Sequence, residues 1–193
     1  MHAKPLSLQL KEQTAVAHQQ LEQRLQPFLM EAPSVAHYIQ VLQSFYGFFQ
    51  PLQQVIAQHV NTDILPDVAE RRSAAWIEKD LKHLGATPGA VAMPNDLPLI
   101  NHVFAAMGAL YVLEGSTLGG RMISKHLSRQ LPQLPHIALQ FFSGYGENTG
   151  AKWKAFVDAI NRLPVNETNT PLVINVANDT FLKMNLWIQE TLR

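Results

Sequence analysis

Residues 99–131 carry the pattern of one long helix. Its middle, GALYVLEGSTLGG from Gly108 to Gly120, nonetheless gathers residues that helices disfavour. Gly115, Gly119 and Gly120 should each cost a helix interior about 1 kcal/mol relative to alanine. Ser116 and Thr117 add hydroxyls that compete for backbone hydrogen bonds. A helix that concentrates such residues at its centre is bringing its backbone close to something. Another helix packed on Gly115 and Gly119, four residues apart, and a flat ligand pressed on the bare backbone fit the pattern equally well.

The rest of the chain supplies a helical frame for that segment. Residues 7–25 form an amphipathic pattern opening at Ser7, with Leu10, Thr14, Ala17, His18, Leu21 and Leu25 on one face. Pro27 and Pro33 should end it. Residues 34–60 make a second long pattern rich in aromatics, with Pro51 expected to kink or divide it. A third helix over residues 71–84 should stop at Gly85. Residues 85–98 lack periodicity. After the glycine-interrupted helix come a proline-bounded connector, the glycine-rich segment 141–150, a short helix over 151–163 and a final helix from Thr170 with Pro171 in its first turn. No strand pattern and no repeat of 20–50 residues stands out. The expectation is one all-α domain over residues 1–193.

Composition narrows the function classes. Lys plus Arg and Asp plus Glu are 15 each, so the formal charge is zero and the basic bias of a nucleic-acid binder is missing. Hydrophobic residues are 47% and charged ones 16%, which argues against disorder. The absence of cysteine removes disulfides, thiolate metal sites, iron–sulfur clusters and a cysteine nucleophile. No signal-peptide pattern and no run of 18 apolar residues occurs, so a cytoplasmic protein that does not enter a membrane is expected.

His18 is the informative titratable residue. One reading is a core or edge histidine satisfied by a neighbour. The other is a metal ligand, because Glu22 lies one turn on, where a carboxylate fixes the tautomer and orientation of a ligating imidazole. Lys11 falls on nearly the same side of the helix, roughly 10 Å earlier. One imidazole with a cation at that distance suits iron in a haem whose propionates lie at one edge. Other metal patterns are missing: there is no His-Glu-x-x-His and no paired Glu-x-x-His. There is also no Gly-x-Ser-x-Gly elbow, and GSTLGG lacks the lysine of a phosphate loop. Arg121, Lys125 and Arg129 form a basic stripe, either a solvated face or a docking surface for an acidic electron donor.

Together these residues resemble the haem oxygenase family, in particular its bacterial biliverdin-producing branch. LKEQTAVAHQQLE, residues 10–22, is similar to the family's proximal helix, and YVLEGSTLGG, residues 111–120, to the distal helix of bacterial members. FFSGYGENTGAKWKAF, residues 141–156, is similar to the corresponding bacterial segment. The resemblance implies a multi-helix domain with haem between a proximal helix and a kinked distal helix. It implies that His18 is the iron ligand, that Lys11 and Tyr111 meet propionates, and that Glu22 bonds near the histidine. Gly115, Ser116, Gly119 and Gly120 would cover the iron, and Phe181 would line the pocket.

The activity so implied is oxidative opening of haem, both cofactor and substrate, to biliverdin, carbon monoxide and iron. It uses O₂ and electrons from a reductase or ferredoxin, docking near Arg121, Lys125 and Arg129. The alternative on the same scaffold is haem binding or transfer without turnover. Thiaminase-type enzymes share a related helical scaffold, but this chain lacks the cysteine nucleophile expected of them. Many family members carry an aspartate directly after the first distal glycine, where this chain has Ser116. Proton delivery is therefore expected from other groups, among them Ser116, backbone carbonyls and water.

Overall fold

A computed structural model of the chain describes residues 4–31 and 34–192, and among these residues all regular structure is helical. Pro33 lies outside them. The nine α-helices are α1 (Leu6–Gln13), α2 (Ala15–Met30), α3 (Val35–Ile56), α4 (Ala74–His83), α5 (Val103–Gly115), α6 (Thr117–Gln130), α7 (Gln140–Ser143), α8 (Thr149–Asn161) and α9 (Thr170–Thr191).

The first helical pattern is divided at Thr14. Its hydroxyl donates to the Leu10 carbonyl at 2.8 Å, the kind of back-bond that bends helices. Ser7 does not cap this segment. The helix begins one residue earlier, behind Pro5, and the Ser7 N–H is bonded to Asn161 Oδ1 at 2.9 Å.

Neither proline ends its helix. Pro27 sits inside α2, and the carbonyl it orphans belongs to exposed Gln23, where water can serve. Pro51 sits inside an undivided α3. A proline removes the N–H that would bond the carbonyl four residues back, here that of Gly47. That carbonyl accepts instead from the Ala92 N–H at 2.9 Å. Gly47 makes the approach possible, because a Cβ there would lie 2.3 Å from the Ala90 carbonyl oxygen.

α5 is the centre of the core, buried at every residue from Ala105 to Glu114. The α5–α6 stretch has the length and hydropathy of a membrane span, but 61% of its most apolar window is buried inside the protein. α9 packs along α5, and Gly108 lets them close: a Cβ there would stand 2.3 Å from the Val173 carbonyl oxygen. On the other side Phe45 and Phe49 of α3 meet Phe141 of α7 edge-on, with ring centroids 5.8 and 5.2 Å apart.

α4 starts three residues later than the sequence pattern suggests. Gln53 of α3 takes over the capping, accepting from the Ala74 N–H at 2.8 Å and donating to the Arg72 carbonyl at 3.0 Å. Gly85 closes the helix in the left-handed region, φ +69°, as glycine favours. α7 is held by Asp80, which accepts from the N–H groups of Gln140 (3.1 Å) and Phe141 (2.9 Å). Burial pushes that carboxyl up to about 6.

The anchored α7 then presses on the glycine segment, since a Cβ on Gly120 would meet the Phe142 carbonyl oxygen at 2.3 Å. Gly120→Ala should therefore overpack this contact by about 1–3 kcal/mol and lower the apoprotein's thermal midpoint by about 3–10 °C in a far-UV melt. An unchanged midpoint would mean the two helices do not meet there.

Candidate functional site

The glycine-interrupted helix breaks at Ser116, and α2 runs beside it. Two contacts join them. At one end the Tyr111 side chain of α5 lies beside that of Thr14. At the other, His126 Nε2 of α6 bonds the Met30 carbonyl at 2.6 Å. Thr14 to Met30 and Tyr111 to His126 are nearly the same number of residues, so the helices run in the same direction. The break at Ser116 therefore lies alongside the first turns of α2, where His18 stands, and the space between the two is termed the cleft.

His18 does not lie within the apolar face of α2. Leu21 and Leu29 are buried there, whereas the His18 side chain stands at the margin, 53% exposed. Its ring meets Phe181 of α9 edge-on at 5.5 Å, and its Nε2 lies 3.4 Å from Glu22 Oε1. Lys11, exposed on α1, lies one turn before Thr14 and so at the end of the cleft where Tyr111 lies. Tyr111 is itself buried, its ring tilted against Trp153 at 5.7 Å, and burial pushes its hydroxyl pKa up.

Across the cleft the glycines have different tasks. A Cβ on Gly119 would meet nothing within 4 Å, and one on Gly115 would meet only the Trp153 ring at 3.7 Å, an ordinary contact. Helix-on-helix packing thus explains Gly108 and Gly120, not Gly115 and Gly119. Gly120 points to α7 and away from the cleft. Leu118 and Met122, 51% and 65% exposed, lie to one side of Gly119, all three within about a third of the helix circumference. The cleft side of α6 is thus bare backbone set in exposed apolar side chains. Arg121, Lys125 and Arg129 are exposed beyond it, and none of them is in an ion pair among the described residues.

Behind the break lies a buried polar cluster that sequence reasoning missed. Arg71 pairs with Glu114 at 2.7 Å and with Asp67 at 2.8 Å. The Tyr145 hydroxyl donates to the Glu114 carboxylate at 3.0 Å and accepts from the Arg72 N–H at 2.7 Å. Burial, then the Glu114 charge, pushes the Tyr145 pKa far up, so it stays a donor. Arg72 reaches the break itself, donating to the Leu113 carbonyl at 2.7 Å and to the Ser116 hydroxyl. One sequence signal could have found this pair. Two arginines directly before a helix N-terminus oppose its dipole unless something else uses them.

The cleft's donor set suits haem. Among the described residues no three His, Cys, Asp or Glu side chains come together as a metal cage. A single imidazole beside a carboxylate suits an iron whose other ligands come from a macrocycle. The uncovered apolar stripe around Gly119 gives such a ring a face to lie on. Two surface depressions, one at Gln43 and Trp187 and one at Trp76 and Lys79, lie away from these residues.

Comparison with known proteins agrees. A curated relative from Xanthomonas campestris pv. campestris (strain 8004), described as "Heme oxygenase", is 33% identical over 119 residues, 62% of this chain and 68% of the relative. The NO- and CO-bound haem oxygenase of Neisseria meningitidis superposes with a TM-score of 0.74 at 24% identity, covering 98% of this chain and 92% of that one. The haem oxygenase of Leptospira interrogans gives 0.73 at 18% identity, covering 97% and 100%. Haem oxygenase-1 of Synechocystis sp. PCC6803, in complex with haem, gives 0.63 at 15%, covering 97% and 92%. These likenesses show the fold. The "Heme oxygenase" family model matches residues 4–190, nearly the whole chain, and the protein accordingly belongs to the haem oxygenase family of oxidoreductases.

Proposed function

We propose that the chain opens haem oxidatively to biliverdin, carbon monoxide and iron, using O₂ and electrons from a separate reductase or ferredoxin. One arrangement carries the reading: an exposed imidazole with a carboxylate one turn on, and on the neighbouring helix a glycine whose Cβ position is open space. Family membership supports it.

Haem, when bound, supplies the redox-active iron and is also the ring that is consumed. The chain's residues hold and orient it. His18 would ligate the iron through one ring nitrogen while Glu22 bonds the other and so fixes the tautomer. A neutral imidazole, unlike a thiolate, does not push electron density toward O–O cleavage. Phe181 supports the imidazole from its edge. Lys11 and Tyr111, at one end of the cleft, would hold the propionates. Gly115 and Gly119 would let the helix backbone come close to the ring, and Leu118 and Met122 would cover its apolar surface. The exposed cations Arg121, Lys125 and Arg129 continue along α6 from this stripe and complement an acidic electron donor.

Hemin added to the purified protein should give the Soret band of a histidine-ligated complex. Ascorbate, or a ferredoxin system in air, should then convert it to the spectrum of biliverdin. A haem complex that persists through reductant and O₂ would overturn the reading and make the protein a haem carrier.

A further inference from the structure

The buried cluster behind the break contains a cation whose cost is unusual. Arg72 is only 4% exposed, and no carboxylate touches its guanidinium among the described residues, because Glu114 is engaged by Arg71 and Tyr145. Burial draws its pKa down to about 10, which still leaves it charged at neutral pH. Its partners are the Leu113 carbonyl at 2.7 Å, the Phe141 carbonyl at 3.4 Å, the Ser116 hydroxyl and the face of the Phe141 ring at 4.2 Å. The Glu114 charge favours the cation without touching it, and dipoles supply the direct contacts. Leu113 lies in the last turn of α5, where the carbonyl ends of the helix are negative.

We infer that Arg72 is a positioning residue that fixes the α5–α6 break and makes Ser116 a hydrogen-bond acceptor backed by a permanent positive charge, facing the cleft. A serine hydroxyl has one proton and two lone pairs. The proton goes to the Leu113 carbonyl at 2.7 Å, and Arg72 occupies one lone pair. Ser116 is exposed, and its second lone pair has no partner among the described residues, so it can accept from a bound group. The hydroxyl has no proton left to give. Accepting without donating is what a carboxylate does. The pair of Arg72 and Ser116 thus accounts for a serine at the position where many relatives keep an acid. The inference rests on the haem reading of the cleft.

Two measurements test it. In the apoprotein, Arg72→Gln should speed hydrogen exchange at amides 113–120 about tenfold or more, as the break loses its support, while α8 and α9 are unchanged. In the ferric haem complex, the acid–alkaline transition is read from the visible bands. Removing the buried cation disfavours the more negative form, so Arg72→Gln should raise the transition by about one pH unit, whereas Arg72→Lys, which keeps the charge, should move it by only a few tenths or so. Ser116→Ala should shift it downward, because the acid form has more proton to donate and loses more when the acceptor goes.

Equal shifts in the two Arg72 variants, or no shift in Ser116→Ala, would overturn the inference. If Arg72→Gln does not fold, Ser116→Ala at its exposed position still decides. If the wild-type protein takes up no hemin, it is the haem reading that has failed. The exchange arm then still decides whether Arg72 holds the break, and unchanged exchange there overturns the inference.

Discussion

His18→Ala should lose the Soret band of a histidine-ligated ferric complex, with hemin binding weakened to what ring burial alone supplies. The structure makes this a clean substitution. The side chain is exposed, its polar partner is the exposed Glu22, and among the described residues its only aromatic-ring contact is with Phe181. The apoprotein melt should therefore stay within about 0.5 kcal/mol of wild type, as for surface positions generally. Glu22→Gln is the graded companion. It should keep the band and lower haem affinity about tenfold, the lower end of what loss of a ligand's supporting carboxylate costs. An unchanged Soret band and affinity in His18→Ala would remove the imidazole from the iron.

Gly119→Leu should separate folding from binding. Nothing lies within 4 Å of a Cβ at this position, and leucine is a better helix former than glycine by about 0.8 kcal/mol. The apoprotein should melt at the same temperature or slightly higher. The added side chain occupies the space over the proposed ring, and overpacking of about 1–3 kcal/mol corresponds to a loss of roughly 10- to 100-fold in hemin affinity. Isothermal titration or Soret titration reads the binding, and circular dichroism the melt. Normal affinity and turnover would show that the face of Gly119 is not the ligand face. The outcome is opposite to that expected of Gly120→Ala one residue along, where the cost falls on folding. Adjacent glycines in one motif thus answer to different neighbours.

That difference marks where sequence reading stops. Local chemistry was legible: the helical class, the stop at Gly85, the His18–Glu22 spacing and the weakness of residues 115–120 all follow from short-range periodicity and propensity. What a glycine touches was not legible, because it depends on chains distant in sequence. Gly120 meets Phe142 and Gly108 meets Val173. Arg72 looked like one more charge at the start of a helix, and its role appears only when residues 72, 113 and 116 are brought together. The prolines misled for the same reason. Their penalty is an orphaned carbonyl, and whether that carbonyl stays orphaned is decided by tertiary partners.

Pro51 shows what such a vacancy can do. In an uninterrupted helix each interior carbonyl is already bonded to the N–H four residues on, so an outside donor must share the oxygen, as Trp187 Nε1 does at the Ser44 carbonyl at 2.8 Å. By withholding one N–H, Pro51 leaves the Gly47 carbonyl without its helical donor, and the Ala92 N–H takes that oxygen unshared. The proline therefore works as an address written into the helix. Restoring an N–H at position 51 would make the loop share that oxygen with a helical donor and weaken the preference of residues 86–93 for this rung. A residue usually counted against helix formation here specifies which part of a featureless loop docks, and where.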